Sequence, residues 1–81
     1  MTVLFAEGLA GIFAELPEEA KRHAARAIEL LRVHPRMYPV RRRGLMRGYR
    51  YFVAGRFLFY YSVSGSEIRM TAIIPAGMRL A

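Results

Sequence analysis

Residues 48–74, GYRYFVAGRFLFYYSVSGSEIRMTAII, decide the fold of this chain. The stretch reads as three consecutive strands. Ala54-Gly55 separates two runs rich in aromatic and β-branched residues, and Ser64-Gly65 separates the next two. Short glycine-containing breaks of this kind signal two-residue hairpins. Seven of the ten aromatic residues lie in its first fourteen positions (Tyr49, Tyr51, Phe52, Phe57, Phe59, Tyr60 and Tyr61), with arginines set between them.

Pairing the strands across these two turns sorts the side chains, because cross-strand partners share a face and neighbours alternate. One face then carries Phe52, Phe57, Phe59, Tyr61, Ile68, Met70, Ala72 and Ile74, and is the expected core face. The other carries Arg47, Tyr49, Tyr51, Arg56, Leu58, Tyr60, Arg69 and Thr71, and is the expected functional face. A slip of one residue in either turn exchanges the faces beyond it.

Working outward, Thr2–Phe5 reads as an edge strand, and Leu9, Ile12, Phe13 and Leu16 recur at helical spacing. Pro17, Glu18 and Glu19 suit the first turn of a second helix, expected over 17–33 and ended by the His34-Pro35 pair. Leu9, Ile12, Phe13 and Leu16 of the first helix and Ile28 and Leu31 of the second are the expected core contributors. The small residues Ala20, Ala24 and Ala27 suggest close packing of the second helix on the first. Residues 34–44, HPRMYPVRRRG, read as a basic connecting loop. The chain is thus expected to be one α+β domain over 1–81, in the order β-α-α-β-β-β. An N-terminal strand and an αα-hairpin pack on one face of an antiparallel sheet.

Charge is distributed unevenly. Residues 1–38 hold five acids and five bases, whereas residues 39–81 hold eight arginines and the single acid Glu67, so the entire net charge of +7 lies in the sheet half. Arginine's planar fork suits phosphate and carboxylate, and its face stacks on bases. There is no cysteine, hence no disulfide framework or thiolate metal site. His23 and His34 alone supply too few ligands for a metal, and no glycine-rich phosphate loop occurs. No cofactor is expected. No apolar run approaches the roughly 18 residues of a membrane span, and no basic segment precedes a hydrophobic one at the N-terminus. A cytoplasmic protein without membrane contact is expected. What remains is an arginine–tyrosine strand face suited to gripping a phosphate backbone, stacking bases and stabilising charge in phosphoryl chemistry. A tyrosine on this face is the candidate proton relay.

The order of elements resembles the RelE/ParE family of toxins from type II toxin–antitoxin systems. The resemblance is carried by the helix ending at His34-Pro35, the basic loop, Leu45, Gly48-Tyr49-Arg50, Gly55-Arg56, Tyr60 or Tyr61, Glu67-Ile68-Arg69 and Ile73, and it covers nearly the whole chain. It implies a toxin held in check by a small, acidic antitoxin. RelE-like members act on the ribosome as mRNA endonucleases; ParE-like members inhibit DNA gyrase, and a catalytically inactive RNA-binding relative is a third possibility. Carried onto this chain, Arg56, Arg69, Arg79 and Tyr60 become the catalytic candidates. Arg41, Arg42, Arg43, Arg47, Tyr49 and Tyr51 become the nucleic-acid-binding candidates. The C-terminal tyrosine or histidine usual among the nucleases has no counterpart after Arg79, where only Leu80 and Ala81 follow.

Overall fold

The structure is a computed structural model and describes residues 1–78. It is α+β. The elements are β1 (Thr2–Phe5), α1 (Leu9–Ala14), α2 (Glu18–Val33), β2 (Arg50–Ala54), β3 (Phe57–Ser64) and β4 (Glu67–Pro75). The four strands form one sheet in the order β1-β4-β3-β2. β2, β3 and β4 are antiparallel neighbours, but β1 runs parallel to β4, with Thr2 opposite Glu67 and Phe5 opposite Met70. The sheet is therefore mixed, not wholly antiparallel. The long route from β1 through both helices and two hairpins frees it from the direction that a tight turn would impose.

α2 starts on Pro17, whose missing N–H costs nothing at a helix start, and Glu18 and Glu19 occupy its first turn. Ala20, Ala24, Ala27, Ile28 and Leu31 are its buried side. These small residues lie against β2 and β1 rather than chiefly against α1, which itself packs on β4. α1 is only six residues long, so it presents Leu9 and Phe13 to the core and leaves Ile12 half exposed, contrary to expectation. A ladder of rings crosses the interior: Phe5 to Phe13 at 5.8 Å, Phe13 to Phe59 at 6.3 Å, Phe59 stacked on Phe52 at 4.9 Å, and Phe52 to Tyr38 at 5.2 Å. Such ring pairs each stabilise by about 1 kcal/mol beyond area burial.

Both hairpin turns sit one residue later than the sequence suggests. Their corners are Gly55-Arg56 and Gly65-Ser66, closed by the pairs Ala54–Phe57 and Ser64–Glu67. Each glycine has positive φ (60° and 58°), and neither following residue does. Glycine at the first corner alone is the type II′ pattern. Moving a turn by one residue moves the pairing by two, so β2 and β3 keep their expected faces, and Phe52 now pairs with Phe59.

β4 departs further. The register shifts between its pairs with Tyr60 and Tyr61: Met70 faces Tyr61, but Ala72 faces Tyr60, leaving Thr71 as the extra residue of a bulge. Beyond it the strand's faces are exchanged. Ile73 enters the core, whereas Ala72 and Ile74, expected there, move to the open face and are only half-buried.

Candidate nucleic-acid interface

The basic loop turns out to contain a hairpin of its own. Tyr51 N–H donates to the Pro39 carbonyl (3.1 Å), Arg41 N–H to the Tyr49 carbonyl (2.7 Å) and Gly48 N–H to the Arg41 carbonyl (2.9 Å). Val40 is bridged antiparallel to Arg50. Residues 39–41 thus line the outer edge of β2, and residues 42–47 form the tip of an arm. The tip is closed by the Arg47 N–H on the Gly44 carbonyl at 3.1 Å, and Gly44 and Gly48 take the positive φ that its bends require (83° and 93°).

The arm carries four arginines. Arg42, Arg43 and Arg47 are exposed; Arg41 is half-buried, with its Nε donating to the Arg43 carbonyl at 3.2 Å. Arg41, Arg42 and Arg43 share a shallow cavity of about 380 Å³ with Pro39, Val40 and Tyr51. No acid occurs in the sequence between Glu29 and Glu67, so nothing within the arm offsets these charges. Like charges about 6 Å apart in water repel by about 0.7 kcal/mol per pair, and a bound anion relieves that repulsion. The cavity's lining includes no carboxylate or imidazole, so it offers positive charge and a tyrosine ring but no such base.

The root of the arm is held rigidly. The Arg50 guanidinium donates to the carbonyls of Tyr38 (2.7 Å) and Arg36 (3.2 Å), and the Tyr61 hydroxyl donates to the Pro35 carbonyl (3.0 Å). Burial pushes the Tyr61 hydroxyl pKa above its ordinary value, with the nearby Arg50 charge opposing part of that rise. Arg50 carries part of the family resemblance but is not among the site candidates read from the sequence. Its role depends on the carbonyls of Arg36 and Tyr38 in the loop after α2, and nothing in the local sequence announces those as partners.

Sequence-marked residues divide into two groups. Arg41, Arg42, Arg43 and Tyr51 come together at the cavity, Arg47 sits at the arm's tip, and Tyr49 is half-buried in the arm's returning strand. The catalytic candidates do not converge. Arg56 occupies the β2–β3 turn beside Pro17, Glu19 and Ala20 at the start of α2, not a strand face. Arg69 lies opposite Ser62 and Leu4, 3.3 Å from Glu67. From Arg56 to the position of Ser62 along β3 is about 20 Å at the usual strand rise. Backbone positions that far apart do not by themselves bring the two arginines to one scissile phosphate. Tyr60 does lie on the open face, with its ring 5.8 Å from that of Tyr51, but it is only 1% exposed. Around it the open face is largely apolar, with Ala72, Leu58, Ile74 and Val53, rather than basic. Arg79 lies outside the described residues.

No protein-family model, no curated protein and no solved structure matches this chain.

Proposed function

We propose that the arginine arm grips the phosphate backbone of RNA, and that the chain is the toxin of a type II toxin–antitoxin pair, arresting translation at the ribosome. The observation that carries this reading is the hydrogen-bonded arm itself: Arg41, Arg42 and Arg43 share one cavity with Tyr51, Arg47 lies at the arm's tip, and the arm holds no acid. Phosphate neutralisation with aromatic stacking is the usual basis of single-strand binding. The α+β architecture is compatible with a RelE/ParE-like fold, and the motif resemblance supports both that assignment and a small acidic antitoxin as partner. In this reading mRNA cleavage is the toxin's activity. It requires Tyr60 to be uncovered, or a different arginine set from Arg56 and Arg69 to surround the cut.

A second reading, ParE-like inhibition of DNA gyrase without nuclease activity, is favoured by the separation of Arg56 from Arg69 and the burial of Tyr60. In vitro translation and supercoiling assays on the purified protein separate the two. The grip is tested by measuring RNA affinity across salt for the wild type and the combined Arg42→Ala, Arg43→Ala, Arg47→Ala variant. Three lost phosphate contacts lower the slope of log K against log salt by about 2. A folded variant with an unchanged slope removes the arm from the interface.

A further inference from the structure

Away from its buried side, α2 carries an apolar stripe that no other described residue covers. Leu30 is 49% exposed, Val33 71% and Met37, just beyond the helix, 48%. Leu30 and Val33 are helical neighbours at i, i+3, and Val33 and Met37 line one depression of about 370 Å³ with Pro35 and Arg36. Leu30 also closes a second depression, of about 570 Å³, along the helix with Arg22, Ala25, Arg26 and Glu29. Contiguous exposed apolar surface with a polar rim marks interaction sites on otherwise stable domains.

The rim is cationic. Arg22, Arg26 and Arg36 stand exposed along the stripe, and Glu29, the one acid in either depression, is engaged by Arg32 at 3.4 Å. We propose that this stripe docks an acidic amphipathic helix of a partner protein. Its apolar side covers Leu30, Val33 and Met37, and its flanking carboxylates meet Arg22, Arg26 and Arg36. This is the helix-in-groove mode, with anchors at helical spacing. A second copy of the chain is disfavoured because a symmetric contact would set the same arginines against one another. A nucleic acid would satisfy the arginines and leave the three apolar residues in water. The inference gives a surface to the protein partner of the preceding reading, but it rests on the stripe and its charge alone.

The test uses the full chain and a designed peptide of roughly 18 residues, about 27 Å as a helix, against a longest molecular dimension of 30 Å. The peptide has leucines at i, i+3, i+4 and i+7 and glutamates elsewhere; a scrambled peptide of identical composition is the control. Binding is followed by fluorescence anisotropy and by amide shifts in NMR spectra. The expected result is saturable binding with shifts centred on Leu30, Val33 and Met37, and the scrambled peptide weaker by roughly tenfold or more. Val33→Asp, at an exposed position, weakens binding by roughly tenfold, as does the Arg22→Glu, Arg26→Glu pair. The arm variant, which lacks Arg42, Arg43 and Arg47, binds the peptide unchanged, so failure of the RNA reading is distinguished from failure here. Equal affinity for the scrambled peptide, or shifts confined to the arm, overturns the proposal. So does a wild-type dimer in sedimentation that Val33→Asp returns to monomer, since the occupant is then a second copy.

Discussion

Replacing Gly55 by alanine tests how the sheet and α2 are fitted together. Gly55 has φ +60°, and a Cβ built there lies 2.9 Å from the Ala20 Cβ and 3.2 Å from the Ala20 Cα. Two penalties follow. The positive-φ corner of a type II′ turn costs a non-glycine residue about 1–3 kcal/mol, and overpacking against a helix that cannot readily retreat costs a further ~1–3 kcal/mol. Gly65 supplies the control, since its φ is +58° and nothing lies within 4 Å of its added Cβ. Gly65→Ala therefore carries only the conformational cost. Any gain from a stiffer unfolded chain is common to both variants. The difference between them isolates the approach to Ala20, at about 1–3 kcal/mol. At roughly 4–8 °C per kcal/mol for a domain of this size, thermal melts followed by circular dichroism separate the variants by at least about 4 °C. Adding Ala20→Gly to Gly55→Ala then recovers part of the loss, as expected for two residues in contact. Melting temperatures for Gly55→Ala and Gly65→Ala within about 2 °C of each other, too close for a packing cost of that size, would show that the turn is not wedged against α2.

Two further outcomes follow from the packing. Ile73→Ala costs about 2–4 kcal/mol by urea denaturation, because Ile73 is in the core, whereas Ile74→Ala on the open face costs about 1 kcal/mol or less. The reverse order would place the bulge elsewhere than at Thr71. Tyr61→Phe removes the hydrogen bond to the Pro35 carbonyl and costs about 1 kcal/mol near neutral pH. Because burial raises the folded-state pKa of Tyr61, the folded chain favours the neutral phenol. Its contribution is complete below the ordinary tyrosine pKa, about 10, and fades as pH climbs through the raised value. Melts above that ordinary pKa should show the wild type losing its advantage over Tyr61→Phe; a constant gap would contradict the assignment.

The parts of this fold that depend on local pattern were legible in the sequence. Ala20, Ala24, Ala27, Ile28 and Leu31 recur at helical spacing, and they are the buried side of α2. Gly55 and Gly65 announce the hairpins, but glycine alone does not say which corner it takes, so the sequence places each turn one residue early. The bulge at Thr71 had no local signal. The run MTAII, apolar but for Thr71, fits either register, and only the burial of Ile73 in the core decides. The same held at the candidate site. Arginine density found Arg41, Arg42 and Arg43, yet the arm that orders them depends on Pro39 and Arg41 pairing with residues 48–51. Tyr60 followed the strand alternation onto the open face as expected, but alternation is blind to what covers a residue.

The position of β1 has a consequence for how the molecule comes into being. It leaves the ribosome before every other element of the sheet, yet its partner is β4, with Thr2 opposite Glu67. A nascent chain can form α2 and the β2–β3 hairpin early, but β1 has no place to dock until β4 has also emerged. Pairings this distant in sequence are slow to close, and a waiting strand is a sticky one. The unfinished chain therefore holds Val3 and Phe5 without their sheet, so the last strand made is the one that seats the first.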